Sequence, residues 1–133
     1  MKGFESLLSG MDAFERVKGA VAGHATPVLA TGLSAVHKAQ LVVSITGLLQ
    51  MGGLVIVPDE AAAVRICEDI NIMAGAGTAV QYPSREPTFY DVQGVSHEYE
   101  HARLAVLGRL RAGDARIVAA SAQAALQYTM PPS

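Results

Sequence analysis

Pro27-Val28-Leu29-Ala30-Thr31-Gly32-Leu33-Ser34-Ala35-Val36-His37-Lys38 is the stretch on which the reading of the fold turns. An apolar run, Val28 to Ala30, stops at Gly32, and an apolar segment of helical period begins near Ala35 and carries to Leu49. Strand, turn and helix in that order frame a phosphate-binding loop, GxxxxGK[ST]. In such a loop glycines let backbone N–H groups cradle the phosphates, the lysine reaches the terminal ones and the hydroxyl holds Mg²⁺. In this chain the frame reads Gly32, four residues, His37, Lys38, Ala39. The first glycine and the lysine are in register, but an imidazole replaces the second glycine and a methyl replaces the metal-holding hydroxyl. Only glycine permits the close backbone approach, and a methyl ligates no metal. The frame therefore implies the scaffold of a nucleotide-binding domain without its activity. The expected fold is α/β: a parallel sheet covered by helices, a RecA-like (P-loop NTPase-like) half-domain with a degenerate phosphate loop. Two conditions attach to that expectation. A strand must lead into residues 32–39, and neighbouring strands must run in the same direction.

Upstream, Phe4, Leu7, Leu8, Met11, Phe14, Val17 and Val21 recur at three- and four-residue spacing, which predicts an amphipathic helix over 2–22. Its polar face carries both signs, so core packing is expected rather than a membrane surface. Downstream, Leu54-Val55-Ile56-Val57 is a continuous apolar run of the kind that suits a strand covered on both faces. Asp59 reads as a helix N-cap, with Glu60 in the first turn, and the helix runs to Met73 before Gly75 and Gly77. Thr78 to Tyr82 reads as a strand. Residues 83–96 form a long aperiodic loop with prolines and aromatics, a kind of segment that tends to carry function. Ser96 caps a helix with Leu104, Leu107 and Leu110 expected inward. Residues 116–120 read as a strand, and Ser121 caps a short helix through Leu126. Alternation of strands and helices with short connections points to parallel β-α-β units.

The chain has 133 residues, enough for one core, and half of them are apolar. A domain spanning 1–133 is expected, with its α/β core over 27–130, and the Pro131-Pro132-Ser133 ending reads as a domain boundary within a longer protein. The formal net charge of −2 argues against a nucleic-acid binder that relies on a basic surface. Arg103, Arg109, Arg111 and Arg116 make the last third locally basic, which reads as a solvated helix face. The single cysteine, Cys67, fits a reducing compartment. No apolar run approaches the ~20 residues of a membrane span, and the amino terminus lacks a signal layout. A cytoplasmic monomer is the expectation.

His97-Glu98-Tyr99-Glu100-His101 matches HExxH, the zinc-protease motif in which two imidazoles one helical turn apart bind metal and the glutamate acts as base. A small zinc hydrolase is the alternative reading. It lacks a third ligand: the extended motif would need Gly and His where Leu104 and Leu107 stand. No serine has a GxSxG context. Accordingly no catalytic residue, metal or cofactor is expected.

Glu86, the Tyr90-Asp91 pair, Ser96 and the Arg103-Leu104 pair have a spacing that resembles the amino-terminal module of transcription-repair coupling factors (Mfd). The usual run there is WETLPYD, then a serine, then a helix containing RL. Here Arg85 stands in place of the tryptophan and Phe89 in place of the proline. The resemblance extends upstream through Leu54–Asp59 to the damaged loop and downstream through Ile117-Val118, Ala124-Ala125-Leu126 and the terminal prolines, so it covers nearly the whole chain from Pro27. It implies a UvrB-like, RecA-like first subdomain with a decayed ATP site, and a parent that is an ATP-dependent DNA translocase acting on stalled RNA polymerase in nucleotide-excision repair. The partners implied are the adjacent subdomains, UvrA indirectly, and DNA and RNA polymerase only through the parent.

Overall fold

The computed structural model describes residues 3–85 and 98–127. In chain order they form α1 (Asp12–Ala22), α2 (Ala35–Leu48), β1 (Gly53–Val57), α3 (Glu60–Ala74), β2 (Ala79–Tyr82), α4 (Glu98–Ala112), β3 (Ile117–Ser121) and α5 (Ala122–Leu126). The strands make a 3-stranded sheet in the order β1-β3-β2, and both pairs are parallel. Parallel neighbours cannot be joined by a tight turn, so α3 and α4 serve as crossovers. The α/β class and the uniform strand direction expected from sequence are therefore present.

Local chemistry sets the helix starts. Ser34 caps α2 by accepting the His37 N–H at 3.4 Å, Asp59 caps α3 by accepting the Ala62 N–H at 2.7 Å, and Ser121 caps α5 by accepting the Ala124 N–H at 3.0 Å. Gly32 bends the chain ahead of α2 at φ +78°, a left-handed conformation that favours glycine. Alternation along the strands then divides the core. Ile117 and Ala119 of β3 join Ala39, Val43, Ile66, Ile70, Met73 and Ala79 on the side of α2 and α3. On the opposite face Val118 meets Val80, Val106 and Ala115, with Tyr82 and Leu110 packed against them.

Five expectations are corrected. The strand expected at Val28–Ala30 is absent: residues 25–31 have no regular structure, Leu29 is 87% exposed, and the segment makes no ladder with any described residue. An apolar run becomes a strand only where a neighbour completes its hydrogen bonds, and β1 pairs with β3 instead. The first condition on the phosphate-loop reading thus fails. The long first helix is also shorter than expected. Residues 3–10 are turns, Gly10 sits at φ +91°, and α1 starts at Asp12. Those turns pack on α2 at Gly47, where a Cβ would meet the Glu5 side chain at 2.6 Å.

The inward face of α4 is carried by Arg103 and Val106, with Leu110 half-buried, while Leu104 and Leu107 are exposed. Arg103 is therefore not on a solvated face, and Arg116 is half-buried with its guanidinium 3.4 Å from Glu5. Finally, the described residues cover β1 on one face. Leu54 is 64% and Ile56 57% exposed, because α4 lies over β2 and β3 and does not reach them.

Candidate functional site

In open parallel sheets ligands bind outside the carboxyl ends of the strands, where successive connections leave toward opposite faces. Here β1 feeds α3 on one face and β2 feeds α4 on the other, with β3 between them. The carboxyl end of β3 thus lies where the two connections diverge.

Ser121 occupies it at 1% exposure. Its Oγ donates to Glu60 Oε1 at 2.5 Å while accepting the Ala124 N–H at 3.0 Å. Glu60, in the first turn of α3, also accepts from Gln81 Nε2 at 2.8 Å through Oε2. One carboxylate therefore ties the element after β1 to the ends of both other strands. Beside it, Arg103 is 4% exposed and its guanidinium lies 4.1 Å from the Tyr82 ring centroid. It donates to the carbonyls of Pro83 at 2.8 Å, Gln127 at 3.0 Å and Ala124 at 3.3 Å, and to Gln127 Oε1 at 3.3 Å. Gln127 turns back to residue 85, accepting the Arg85 N–H at 2.6 Å and donating to its carbonyl at 3.0 Å. Arg85 in turn pairs with Glu100 at 2.7 Å. The polar groups at this rim are spent on one another and on backbone. The arrangement fixes the entry and exit of the 86–97 connection and holds α4 and α5 to the sheet.

The residues of the phosphate-loop frame fall elsewhere. His37 and Lys38 are exposed at the start of α2, whereas Ala39 is fully buried in the core against α3 residues. The position that would carry a metal-binding hydroxyl therefore faces the hydrophobic interior, a second departure from phosphate-loop geometry. His37 instead borders a half-open cleft of about 760 Å³ between α1, residues 28–33 and α2, lined mainly by apolar side chains with Arg16 and Gln40.

Of the family-motif residues, Glu86, Tyr90, Asp91 and Ser96 lie outside the described residues, as does His97 of the HExxH match. Arg103 is central to the rim, its neighbour Leu104 is 42% exposed, and Glu98 and His101 are exposed on α4. Among the described residues no group of three or more His, Cys, Asp or Glu side chains is placed to hold a metal ion. No described helix is long and apolar enough to cross a membrane.

Local sequence patterns give Glu60 and Ser121 only capping and dipole roles and give Gln81 none. Their convergence depends on strand order, which no local pattern encodes. Arg103 does carry a signal: it falls in the 103, 106, 110 series with Val106 and Leu110, the spacing of one helix face. Comparison with known protein families, curated proteins and solved structures gives no match to the chain.

Proposed function

We propose that this chain is a non-catalytic scaffold domain, the first subdomain of a transcription-repair coupling factor, holding neighbouring subdomains so that UvrA is recruited to stalled RNA polymerase. Of the described features, the one that supports a scaffold is Arg103. It belongs to the Arg-Leu pair of the family resemblance, and its guanidinium is spent on the backbone carbonyls of Pro83, Ala124 and Gln127. A residue used that way supplies rigidity, and it fixes both ends of the connection that carries Glu86, Tyr90, Asp91 and Ser96.

The parallel order with helices on both faces is compatible with a RecA-like half-domain. The degenerate phosphate loop adds no support, because the strand before it is missing and Ala39 points into the core. The reading rests instead on the order and spacing of the downstream motif.

The test is strand-specific repair after ultraviolet irradiation, in cells whose chromosomal copy carries Arg103→Ala. Loss of the preference for the transcribed strand, with DNA translocation by the parent retained, is the expected result; unchanged strand preference with the variant protein at normal level would remove the proposal. Calorimetric titration of the chain with Mg-ATP is expected to give no stoichiometric binding. Binding that disappears in Lys38→Ala would restore an active nucleotide site.

A further inference from the structure

Polar side chains at the carboxyl end of the sheet are spent on one another and on backbone, but those at the cleft between α1, residues 28–33 and α2 are not. Arg16, His37 and Gln40 border that cleft, and none of their side chains makes a hydrogen bond or ion pair with any described residue. The acid next to Arg16 is already engaged: Glu15 pairs with Lys18 at 2.6 Å and accepts the Gly10 N–H at 3.4 Å. Among the described residues no Asp or Glu lines the cleft, and the first turn of α2 holds His37 and no acidic side chain. The polar part of the wall therefore carries positive charge and hydrogen-bond donors with nothing negative to meet them.

The rest of the wall is apolar. Val17 of α1 and Leu41 of α2 face a volume of about 760 Å³, and Met11 and Val28, at its border, are 55% and 39% exposed. Clefts of about 300–1,000 Å³ with apolar walls and a few polar groups have the size and character of small-molecule sites. An aliphatic chain would remove this apolar surface from water. A carboxylate would accept two parallel N–H bonds from the Arg16 guanidinium, with the His37 imidazole and the Gln40 amide as further donors. A plain hydrocarbon would leave Arg16 unused. A peptide strand would need main-chain partners, and the two helical walls spend theirs internally. One cation among donors, set against an otherwise uncharged apolar wall, matches a molecule with one anionic head and one apolar chain.

We propose that this cleft binds a single-chain anionic amphiphile, a free fatty carboxylate, with its head group on Arg16 and its chain between α1 and α2. The inference is independent of the repair reading, since it rests only on the lining of the cleft.

The test titrates the whole chain by isothermal calorimetry with dodecanoate and with dodecyltrimethylammonium, which share a chain length and differ in head-group charge, both below micelle formation. The expected result is saturable binding of dodecanoate, about 10-fold weaker binding of the cation, and about 10-fold loss of dodecanoate binding in Arg16→Glu, the scale of one charge-assisted contact. Arg16→Lys keeps the charge and should lose less. Amide shift changes on adding dodecanoate should gather at Val17, His37 and Leu41 and leave α4 unmoved. Absence of saturable dodecanoate binding, equal binding of the two head groups, or unchanged binding in Arg16→Glu overturns the proposal. So does association with phosphatidylglycerol vesicles without uptake of free dodecanoate, because this face would then meet a membrane. A dimer of the chain that excludes dodecanoate overturns it as well, because the occupant would be a second copy. Arg16 is exposed, so Arg16→Glu should fold, which circular dichroism checks. Should it not, the two head groups and the shift pattern still decide the matter.

Discussion

All 5 residues of β3 are buried, whereas β1, hydrogen-bonded directly to it, alternates between half-buried and exposed. The two strands are both largely apolar and run in the same direction, and they differ in position. β3 has a strand on each side, α2 and α3 over one face and α4 over the other, while among the described residues β1 has one neighbouring strand and one covered face. Position thereby divides the labour: β3 and its carboxyl end carry the stability, and β1 presents the surface. The burial of Arg103 belongs to the first half of that division, since it closes the face over β2 and β3 that α4 would otherwise cover only with Val106 and Leu110.

The comparison breaks first at Ile117, which is fully buried. Ile117→Ala should lower stability by about 3–4 kcal/mol in urea unfolding, as for large-to-small changes that leave a core cavity. A loss comparable to that of an exposed residue would show that the sheet centre is not where the stability sits. Arg103→Ala comes next, at about 2–3 kcal/mol, because the carbonyls of Pro83, Ala124 and Gln127 lose their buried donor together. Arg103→Lys should recover less than half of that, since an ammonium cannot reproduce the planar fork or its stacking on Tyr82. Full rescue by lysine would reduce the role of Arg103 to charge alone.

Ser121→Ala removes both the α5 cap and the donor to Glu60, and should cost about 1–2 kcal/mol. Glu60→Gln keeps an acceptor for Ser121 and should cost less, so the pair separates the cap from the carboxylate. At β1, Leu54→Ala should stay within about 0.5 kcal/mol, as for exposed positions, in contrast to its covered neighbour Val55. A large loss at Leu54 would mean that this face is covered in solution.

The smallest effect is chemical. Burial pushes the Cys67 thiol up, with the charge of Glu68 acting in the same direction. Less of it is thiolate at neutral pH than for a free cysteine, and the thiolate is the reactive form. Reaction with a disulfide reagent at pH 7.5, a condition chosen on the order of one unit below a free thiol pKa, should therefore be slower in the folded chain than in urea. Equal rates in both would place Cys67 in an unperturbed environment.

Much of the helical framework is legible in the residues themselves. Asp59 and Ser121 are identifiable as caps from residue type and position, because a cap is a contact within three residues. The parallel alternation after Gly53 is equally legible, since short apolar runs separated by helix-period segments leave few other arrangements. The site is less so. Gly32 and Lys38 keep their spacing in the sequence, yet the chain around them forms no strand and buries Ala39, because spacing along a chain does not specify which segment supplies the neighbouring ladder. Of the motif residues, only the Arg103-Leu104 pair falls among the described residues, and there the order is the reverse of simple hydropathy: the arginine is inside and the leucine outside.

Residue type and spacing by themselves determined the caps, the α/β alternation and the apolar stripe of α3, all of which depend on interactions within a few residues. Tertiary structure alone decided that β3 is central and β1 peripheral, that Glu60, Gln81 and Ser121 meet, and that the Arg103 guanidinium lies inside. Each of those outcomes depends on which distant segments become neighbours. A buried arginine is stable only where folded backbone supplies carbonyls in the right places, and an edge remains open only because no other described strand reaches it.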